Sequence, residues 1–325
     1  MDPPFSITPK ILEYIGRIER LIGRIEGLHQ AKPQPYLRKS NRVRTVHGNL
    51  AIEGNTLDLA QVTALIEGKW VIGNKEEIQA VLNAIEAYDD IRRIDPYSMK
   101  DFLKTHGVMM RDLIDEAGKL RSTNVGIIKG SAVSHVAPQA DRLSHLMKEL
   151  FRFLKDEEHH LLIRGCVFHY ELEFIHPFLD GNGRMGRFWH SLLLYAYHPV
   201  FEYIPVESLI EENQKEYYEA LEKSDGLGDS TPFVEFSLSV VHQALDDFLN
   251  ALQPTPLSQE KRLEIAGGHF GNRLFSRKDY LIYFKTISSA TASRDLKLGV
   301  DQKLLSKEGK GAQTRYKFNT LSKKQ

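Results

Sequence analysis

Apolar residues recur at three- and four-residue steps along most of the chain, which predicts a mainly helical protein. Between residues 6 and 29, Ile11, Ile15, Ile18, Ile22 and Ile25 alternate with Arg and Glu, the pattern of an amphipathic helix ended by Pro33 and Pro35. A second helix is predicted from about Tyr36 to Ile52. Arg38, Lys39, Arg42 and Arg44 give it a solvated face, and it closes at Glu53-Gly54-Asn55, where Gly54 suits the left-handed position after a helix. A short helix over 58–68 and a longer one over 75–94 follow, and Ser98 caps another that runs to about Leu113. Asp141 opens a helix carrying Leu143, Leu146, Met147, Leu150, Phe151 and Leu154. The stretch from Leu161 to Ile175 is apolar nearly all round, the mark of a central helix buried by its neighbours. Met185, Phe188, Trp189, Leu192 and Ala196 set the next helix, which Pro199 stops; helices over 208–221 and 232–252 complete the series.

Two stretches depart from this period. Residues 118–138 carry Gly118, Gly126 and Gly130 around Val125-Gly126-Ile127-Ile128 and Ser131-Ala132-Val133, which predicts a short β-hairpin. A hairpin in a helical domain has no sheet to join, so an extended peptide can add to its edges. The alternative is a connecting loop. Gln253-Pro254-Thr255-Pro256 reads as a linker, and beyond it the texture changes. Helices are predicted near 259–266, from Arg277 to Phe284 behind Ser276, and from about Ala290, followed by two strands bracketing Lys307-Glu308-Gly309-Lys310-Gly311. This order resembles winged helix-turn-helix modules, with Lys297, Lys307, Lys310, Arg315 and Lys317 as a local basic surface. Such a module can bind DNA, or serve docking and dimerisation. The expected domains are an N-terminal helical region (1–70), a core (71–252) and a small C-terminal α+β domain (257–325).

Composition narrows the classes. Lys+Arg and Asp+Glu both total 43, so net charge points to neither a nucleic-acid nor a membrane partner, and any basic surface must be local. The single cysteine, Cys166, forms no internal disulfide and sits among apolar residues as a core thiol. No run is long enough to span a membrane and the start lacks a signal-peptide layout, so a cytoplasmic location is expected.

The chemistry is concentrated in Ile175-His176-Pro177-Phe178-Leu179-Asp180-Gly181-Asn182-Gly183-Arg184-Met185-Gly186-Arg187. Gly181 and Gly183 let backbone N–H groups approach and turn toward a ligand. A glycine loop feeding a helix start is an anion site, because first-turn N–H groups are unpaired and lie at the positive end of the dipole. Arg184 and Arg187, three apart, add formal charge on one side of that turn. The stretch therefore predicts a polyphosphate site over Gly181, Asn182 and Gly183. Asp180 can ligate Mg²⁺ bridging phosphate oxygens, and His176 stands beside the ligand. His169 lies two helical turns before His176, too far to share a tetrahedral metal, and reads as a hydrogen-bonded core residue.

His-Pro-Phe-x-Asp-Gly-Asn-Gly-Arg-x-x-Arg matches the signature of the Fic (filamentation induced by cAMP) family at every defined position, and the lead-in 169–175 resembles the helix that precedes it there. The resemblance implies a Fic-type helical bundle that transfers AMP from ATP to a Ser, Thr or Tyr hydroxyl of a target protein. His176 would be the base, Gly181 to Arg187 the phosphate cradle, and ATP and Mg²⁺ the bound species. It makes the 118–138 hairpin the flap that docks the target, with Ile127 and Ile128 on its edge. It also suggests that Asn213 and Tyr217 line the adenine end, against a plain packing role. Ala51-Ile52-Glu53-Gly54-Asn55-Thr56-Leu57 resembles the inhibitory motif of the class whose inhibitory helix precedes the core, which implies that Glu53 pairs with Arg187. Position 49 departs from that motif: Asn49 stands where the class has Ser or Thr. Alternatives are transfer of another nucleotide, AMP removal with Glu53 orienting a water, and a DNA-binding regulator with a sensory core. Self-modification and a homodimer are compatible with each.

Overall fold

The computed structural model describes residues 3–28, 35–129, 132–252, 257–284, 287–309 and 311–319, with backbone alone at 35, 127–129, 132–136 and 312. The chain forms two compact units, Met1–Leu252 and Gln253–Gln325. The Pro-rich run 253–256 lies outside the described residues, as do Pro33, Gly130, Ser131 and Lys310.

Among its described residues the first unit is helical apart from one hairpin. Its helices begin α1 (Pro9–Gly27), α2 (Pro35–Ala51), α3 (Leu59–Ile66), α4 (Lys75–Asp89) and α5 (Met99–Met109). The hairpin β1 (Gly126–Lys129) and β2 (Ala132–Val136) comes next. Then come α6 (Leu143–Lys155), α7 (Leu161–Ile175), α8 (Asn182–Tyr197), α9 (Val206–Glu212), α10 (Gln214–Leu227) and α11 (Thr231–Leu252). Short polar side chains set the starts. Thr8, Asn74 and Ser98 accept first-turn N–H groups, and Asp58 with Gln61 forms a reciprocal capping box.

Helix α7 is the axis of this unit. One face (Ile163, Cys166, Val167, Tyr170) packs in a cluster with Ile18, Ile22, Val241 and Leu245 of α1 and α11. Another (Phe168, Leu172, Ile175) packs in a second cluster with Val46, Phe102, Met147 and Trp189 of α2, α5, α6 and α8. A helix apolar on every side has no solvent face, so its C-terminal end is fixed in the middle of the unit. Cys166 is buried in this core, and burial pushes its thiol up to about 12.

Helix α2 lies close against α9. A Cβ at Gly48 would come within 2.7 Å of the Ser208 backbone, so only glycine permits this approach. The chain after α2 is then pinned: Asn55 Nδ2 donates to Glu77 O (3.1 Å), Thr56 Oγ1 to Glu77 Oε2 (2.7 Å) and Gln214 Nε2 to Ile52 O (2.9 Å). Gly54 takes the expected positive φ, 86°.

The hairpin pairs antiparallel, Gly126 opposite Val136 and Lys129 opposite Ala132, with a register shift between Ile127 and Ile128. Its sheet has two strands among the described residues. The helix expected over 208–221 is instead two, α9 and α10, broken at Asn213. There the Asn213 side chain donates to Leu209 O (2.8 Å), the carbonyl its own backbone N–H also uses, and competes with helix continuation. The long helix over 75–94 also ends early, at Asp89, and a 3₁₀ turn spans Ile91–Arg93.

The second unit comprises α12 (Gln259–Phe270), α13 (Arg277–Tyr283), α14 (Ser289–Asp301) and an antiparallel ribbon of β3 (Leu305–Glu308) and β4 (Arg315–Phe318). Phe275 joins the ribbon by an isolated bridge to Tyr316 and stacks on Phe270 and Phe318. A buried Arg262–Asp295 pair (2.5 and 2.8 Å), which Tyr280 joins at 3.3 Å, ties the three helices together. Among the described residues no helix is long and apolar enough to cross a membrane.

Candidate active site

The site forms where α7 ends. His176 takes the left-handed cap position (φ 50°, ψ 61°) and its N–H bonds Leu172 O at 3.0 Å. A non-glycine residue holds that conformation at a cost of about 1 kcal/mol, so something must over-determine it. Arg121 does. From a buried position its Nε donates to His176 O (2.7 Å), and Nη2 to Ile175 O (3.3 Å) and Pro138 O (2.6 Å). Its Nη1 donates to Thr123 O (2.8 Å), and its backbone N–H to Pro177 O (2.9 Å). One guanidinium thus binds the end of α7 to both feet of the hairpin. Burial lowers its pKa.

The loop after His176 is braced from below. Phe178 is buried and stacks on His106 with ring centroids 3.5 Å apart. His106 Nδ1 accepts the Gly118 N–H (2.8 Å), which assigns its proton to Nε2, the donor to Asp180 O (3.0 Å). Both ring nitrogens are committed in the neutral form, and burial pushes the pKa down to about 4. Asn182 closes the loop, its Oδ1 accepting the Phe178 N–H (2.9 Å) and its Nδ2 donating to Phe178 O (3.0 Å). Gly181 is required twice, by φ 82° and by Met110 Sδ, 2.6 Å from where a Cβ would be. Helix α8 therefore starts at Asn182, and the first-turn N–H groups of 182–184 lie at its positive end.

Two arginines rise from that first turn to different partners. Arg184 Nη2 donates to Asp180 Oδ2 (2.9 Å), while Asp180 Oδ1 accepts the Gly181 N–H (2.6 Å). Arg187 is 1% exposed; its Nη2 donates to Glu53 Oε1 (2.5 Å) and Asn49 O (3.1 Å), and its Nε to Asn49 Oδ1 (3.3 Å). Burial alone would lower the Arg187 pKa, but the negative charge of Glu53 and its neighbours outweighs it and raises it. The Glu53 carboxylate overlaps the space that a Cβ at Gly183 would need. It thus sits on the helix start, where an anion is favoured, and its side chain stays 38% exposed.

Asn49, at the position where the resemblance put Ser or Thr, does more than a hydroxyl could. It accepts from Arg187 and donates to Tyr88 Oη (2.7 Å) and Arg184 O (3.3 Å), using both ends of the amide. Tyr88 passes the chain on to Glu207 Oε1 (2.8 Å).

The two residues suggested for the adenine end both make internal contacts. Tyr217 is buried, its hydroxyl shared between His169 Nε2 (3.2 Å) and Glu173 Oε1 (3.3 Å) and its ring packed on Phe233. Tyr218, the next residue, is the exposed one. Asn213 bonds within the α9–α10 junction. His169 is the core histidine its spacing suggested; burial pushes it down to about 3. Side chains of Ile127 and Ile128 lie outside what the structure describes. Arg121 and His106 carry no motif signal; only partners 55 and 74 residues away in sequence reveal them.

For a divalent cation, no group of three or more His, Cys, Asp or Glu comes together among the described residues. Asp180, 58% exposed, is a single hard carboxylate beside the first turn of α8. That donor set fits Mg²⁺ held jointly with substrate phosphates, and it does not fit a closed protein cage.

With this geometry in place, comparison with known proteins is direct. The Fic/DOC family profile matches residues 96–194. The crystal structure of a Fic family protein from Desulfovibrio desulfuricans G20 is 36% identical, with each chain fully covered and a TM-score of 0.75. The chain belongs to the Fic family. Fic-1 of Caenorhabditis elegans (residues 134–508) shares the fold at 24% identity and TM-score 0.60, covering 74% of this chain and 73% of that one. Among curated proteins, the protein adenylyltransferase Fic of Nematostella vectensis is 31% identical over 235 residues, 69% of this chain and 52% of that protein. That of Culex quinquefasciatus is 29% identical over 264 residues, 76% and 48% respectively. The chain spans about half the length of the curated relatives it matches.

Arg121→Ala leaves carbonyls of the α7 end and the hairpin feet without their donor. A loss of roughly 3 kcal/mol is expected, a melting temperature lower by about 6–12 °C for a domain of this size. Hydrogen exchange should quicken in 123–138 while α11 keeps its protection. Unchanged exchange in the hairpin would refute the bracing role.

Proposed function

We propose that this chain is a protein adenylyltransferase, moving AMP from ATP to a hydroxyl side chain of a target protein, and that Glu53 holds it inhibited. The observation that carries the reading is the juxtaposition of His176 with the amino end of α8, where a buried arginine grips an internal carboxylate. ATP would lay its β- and γ-phosphates over the N–H groups of 182–184, with Arg184 and Arg187 as cationic partners. Asp180 would hold Mg²⁺, which when bound neutralises phosphate charge. The target hydroxyl oxygen attacks the α-phosphorus, the bond to the bridging α–β oxygen breaks, and pyrophosphate leaves with that electron pair. His176 takes the hydroxyl proton. Its Nδ1 lies 3.4 Å from Glu173 O, consistent with a proton on Nδ1 and the basic lone pair on Nε2. Catalysis here is positioning and charge stabilisation, which suits a loop braced from three sides. The target segment would add as a strand to the β1–β2 hairpin, along the edge that carries Ile127 and Ile128.

Glu53 inhibits by occupying what the γ-phosphate needs. Arg187 is too buried to stay unpaired, so its choice is between Glu53 and a phosphate oxygen, and the two exclude each other. The C-terminal unit reads as a winged helix with exposed Arg294 and Lys297 on α14 and Lys307, Arg315 and Lys317 on the ribbon. Those exposed cations support contact with a DNA backbone.

Replacing His176 by Ala should abolish transfer from labelled ATP, a loss of at least about 10²-fold, while ATP binding persists; retained transfer removes the base assignment. Glu53→Gly should tighten ATP binding by roughly 10–100-fold and switch on self-labelling, since one charge-assisted bond is worth about 1.5–3 kcal/mol. Equal labelling of both proteins contradicts inhibition, and label from UTP rather than ATP reassigns the nucleotide. For DNA, log affinity should fall against log salt with a slope of about −3 to −5 if the five cations meet phosphates. No binding at low salt leaves docking or dimerisation as the unit's role.

A further inference from the structure

We propose that a cavity between α2, α4, α8 and α9, apart from the Gly181–Arg187 loop, binds a small phosphorylated molecule whose inner end carries a hydroxyl or amino group. The cavity encloses about 420 Å³, within the range of small-molecule pockets. Its inner end is formed by Tyr88, Ser191 and Glu207. Glu207 is 1% exposed, and its Oε1 accepts from Tyr88 Oη (2.8 Å) and Ser191 Oγ (2.5 Å). Its Oε2 is buried and has no hydrogen-bond partner. A buried carboxylate oxygen left unbonded costs free energy, and native interiors rarely keep one without reason.

A second unpaired atom belongs to another residue that lines the cavity. Arg42 commits its Nη2 to Asp89 (2.5 Å), but its buried Nε has no acceptor. Two residues that line one cavity thus carry, just under its surface, an acceptor that lacks a donor and a donor that lacks an acceptor. A molecule that carries both functions, and that shifts these side chains slightly as it enters, satisfies the two together. Phe201, Tyr203 and Ile204 add largely apolar surface to the lining.

The mouth is cationic. Arg38, Lys39, Arg42 and Arg92 line the cavity against only Asp89 and Glu202 as acids outside its inner end. Arg92 pairs with Glu202 and Lys39 with Glu67, whereas Arg38 has no carboxylate partner among the described residues. A phosphate offers three acceptor oxygens to such a cluster, which favours it over a single neutral acceptor. The inner end also belongs to the hydrogen-bonded chain Glu207–Tyr88–Asn49–Arg187, so the cavity is continuous in bonding with the inhibitory pair.

The test is calorimetric titration of the full chain with ribose 5-phosphate and glycerol 3-phosphate, with inorganic phosphate and ribose as controls. At least one sugar phosphate should bind with a Kd below ~1 mM, and Arg38→Ala, an exposed change that leaves the core intact, should weaken it about tenfold or more. Glu207→Gln should weaken the sugar phosphate to a similar degree without altering the weak binding of inorganic phosphate. Arg184→Ala, at the candidate active site, should leave the affinity unchanged. Three results overturn the proposal. Neither sugar phosphate binds by 10 mM (order of magnitude), which means a groove holding water only. Inorganic phosphate binds as tightly as the sugar phosphates, which means unspecific anion attraction at the mouth. Binding disappears in Arg184→Ala but survives Arg38→Ala, which places the ligand on the α8 turn.

Discussion

The buried guanidinium of Arg187, and what neutralises it, is the constraint on which the rest of the structure depends. A cation removed from water must find an anion and fill its remaining donor positions, or the site loses several kcal/mol. Here Asn49, in the last turns of α2, supplies the acceptors, and Glu53, two residues past its end, supplies the anion. That requirement explains features far from the loop. Gly48 lets α2 lie against α9, Asn49 is fully buried where a polar residue would otherwise be costly, and three hydrogen bonds pin the chain after α2. On the proposed reading an incoming phosphate would satisfy Arg187 as Glu53 does, and the partly exposed carboxylate would give way to it.

Beside that ion pair the loop from His176 to Asn182 is braced by several contacts. Arg121 fixes the peptide groups on either side of His176, His106 and Phe178 support the turn from below, and Asn182 locks it onto itself. These contacts are backbone-directed, so they hold geometry without using the groups that face a ligand. Arg121 also ties the hairpin feet at Thr123 and Pro138 to the same carbonyls. The hairpin feet and the backbone at His176 therefore share one frame, which is what the proposed in-line attack would require.

Much of this was legible in the sequence because the signals are local. The glycine spacing of 181–183, the charge of Arg184 and Arg187, the all-round apolar run 161–175, the small-residue hairpin and the serine caps each act within a dozen residues. What stayed hidden depends on distant partners. Arg121 reads as an ordinary surface arginine until its carbonyl partners converge from 123, 138 and 175–177. His106 shows nothing until Phe178 stacks on it. Tyr217 and Tyr218 are equivalent to a sequence reader, and only the packing of α10 against α11 decides which ring is buried. The break at Asn213 was missed for a related reason: one side-chain hydrogen bond to Leu209 O outweighs a continuous helical pattern. The Glu53–Arg187 contact spans 134 positions and is invisible to periodicity; the resemblance of 51–57 to a known motif suggested it, and the geometry contains it.

The central claim is that the amino end of α8 is a triphosphate site now filled by a side chain. A crystal structure of the Glu53→Gly variant with ATP and Mg²⁺ measures this directly. The account predicts terminal phosphates over 182–184 within hydrogen-bond reach of Arg187, and the α-phosphorus facing the His176 imidazole. Nucleotide bound elsewhere, or Arg187 left without a phosphate contact, would contradict it.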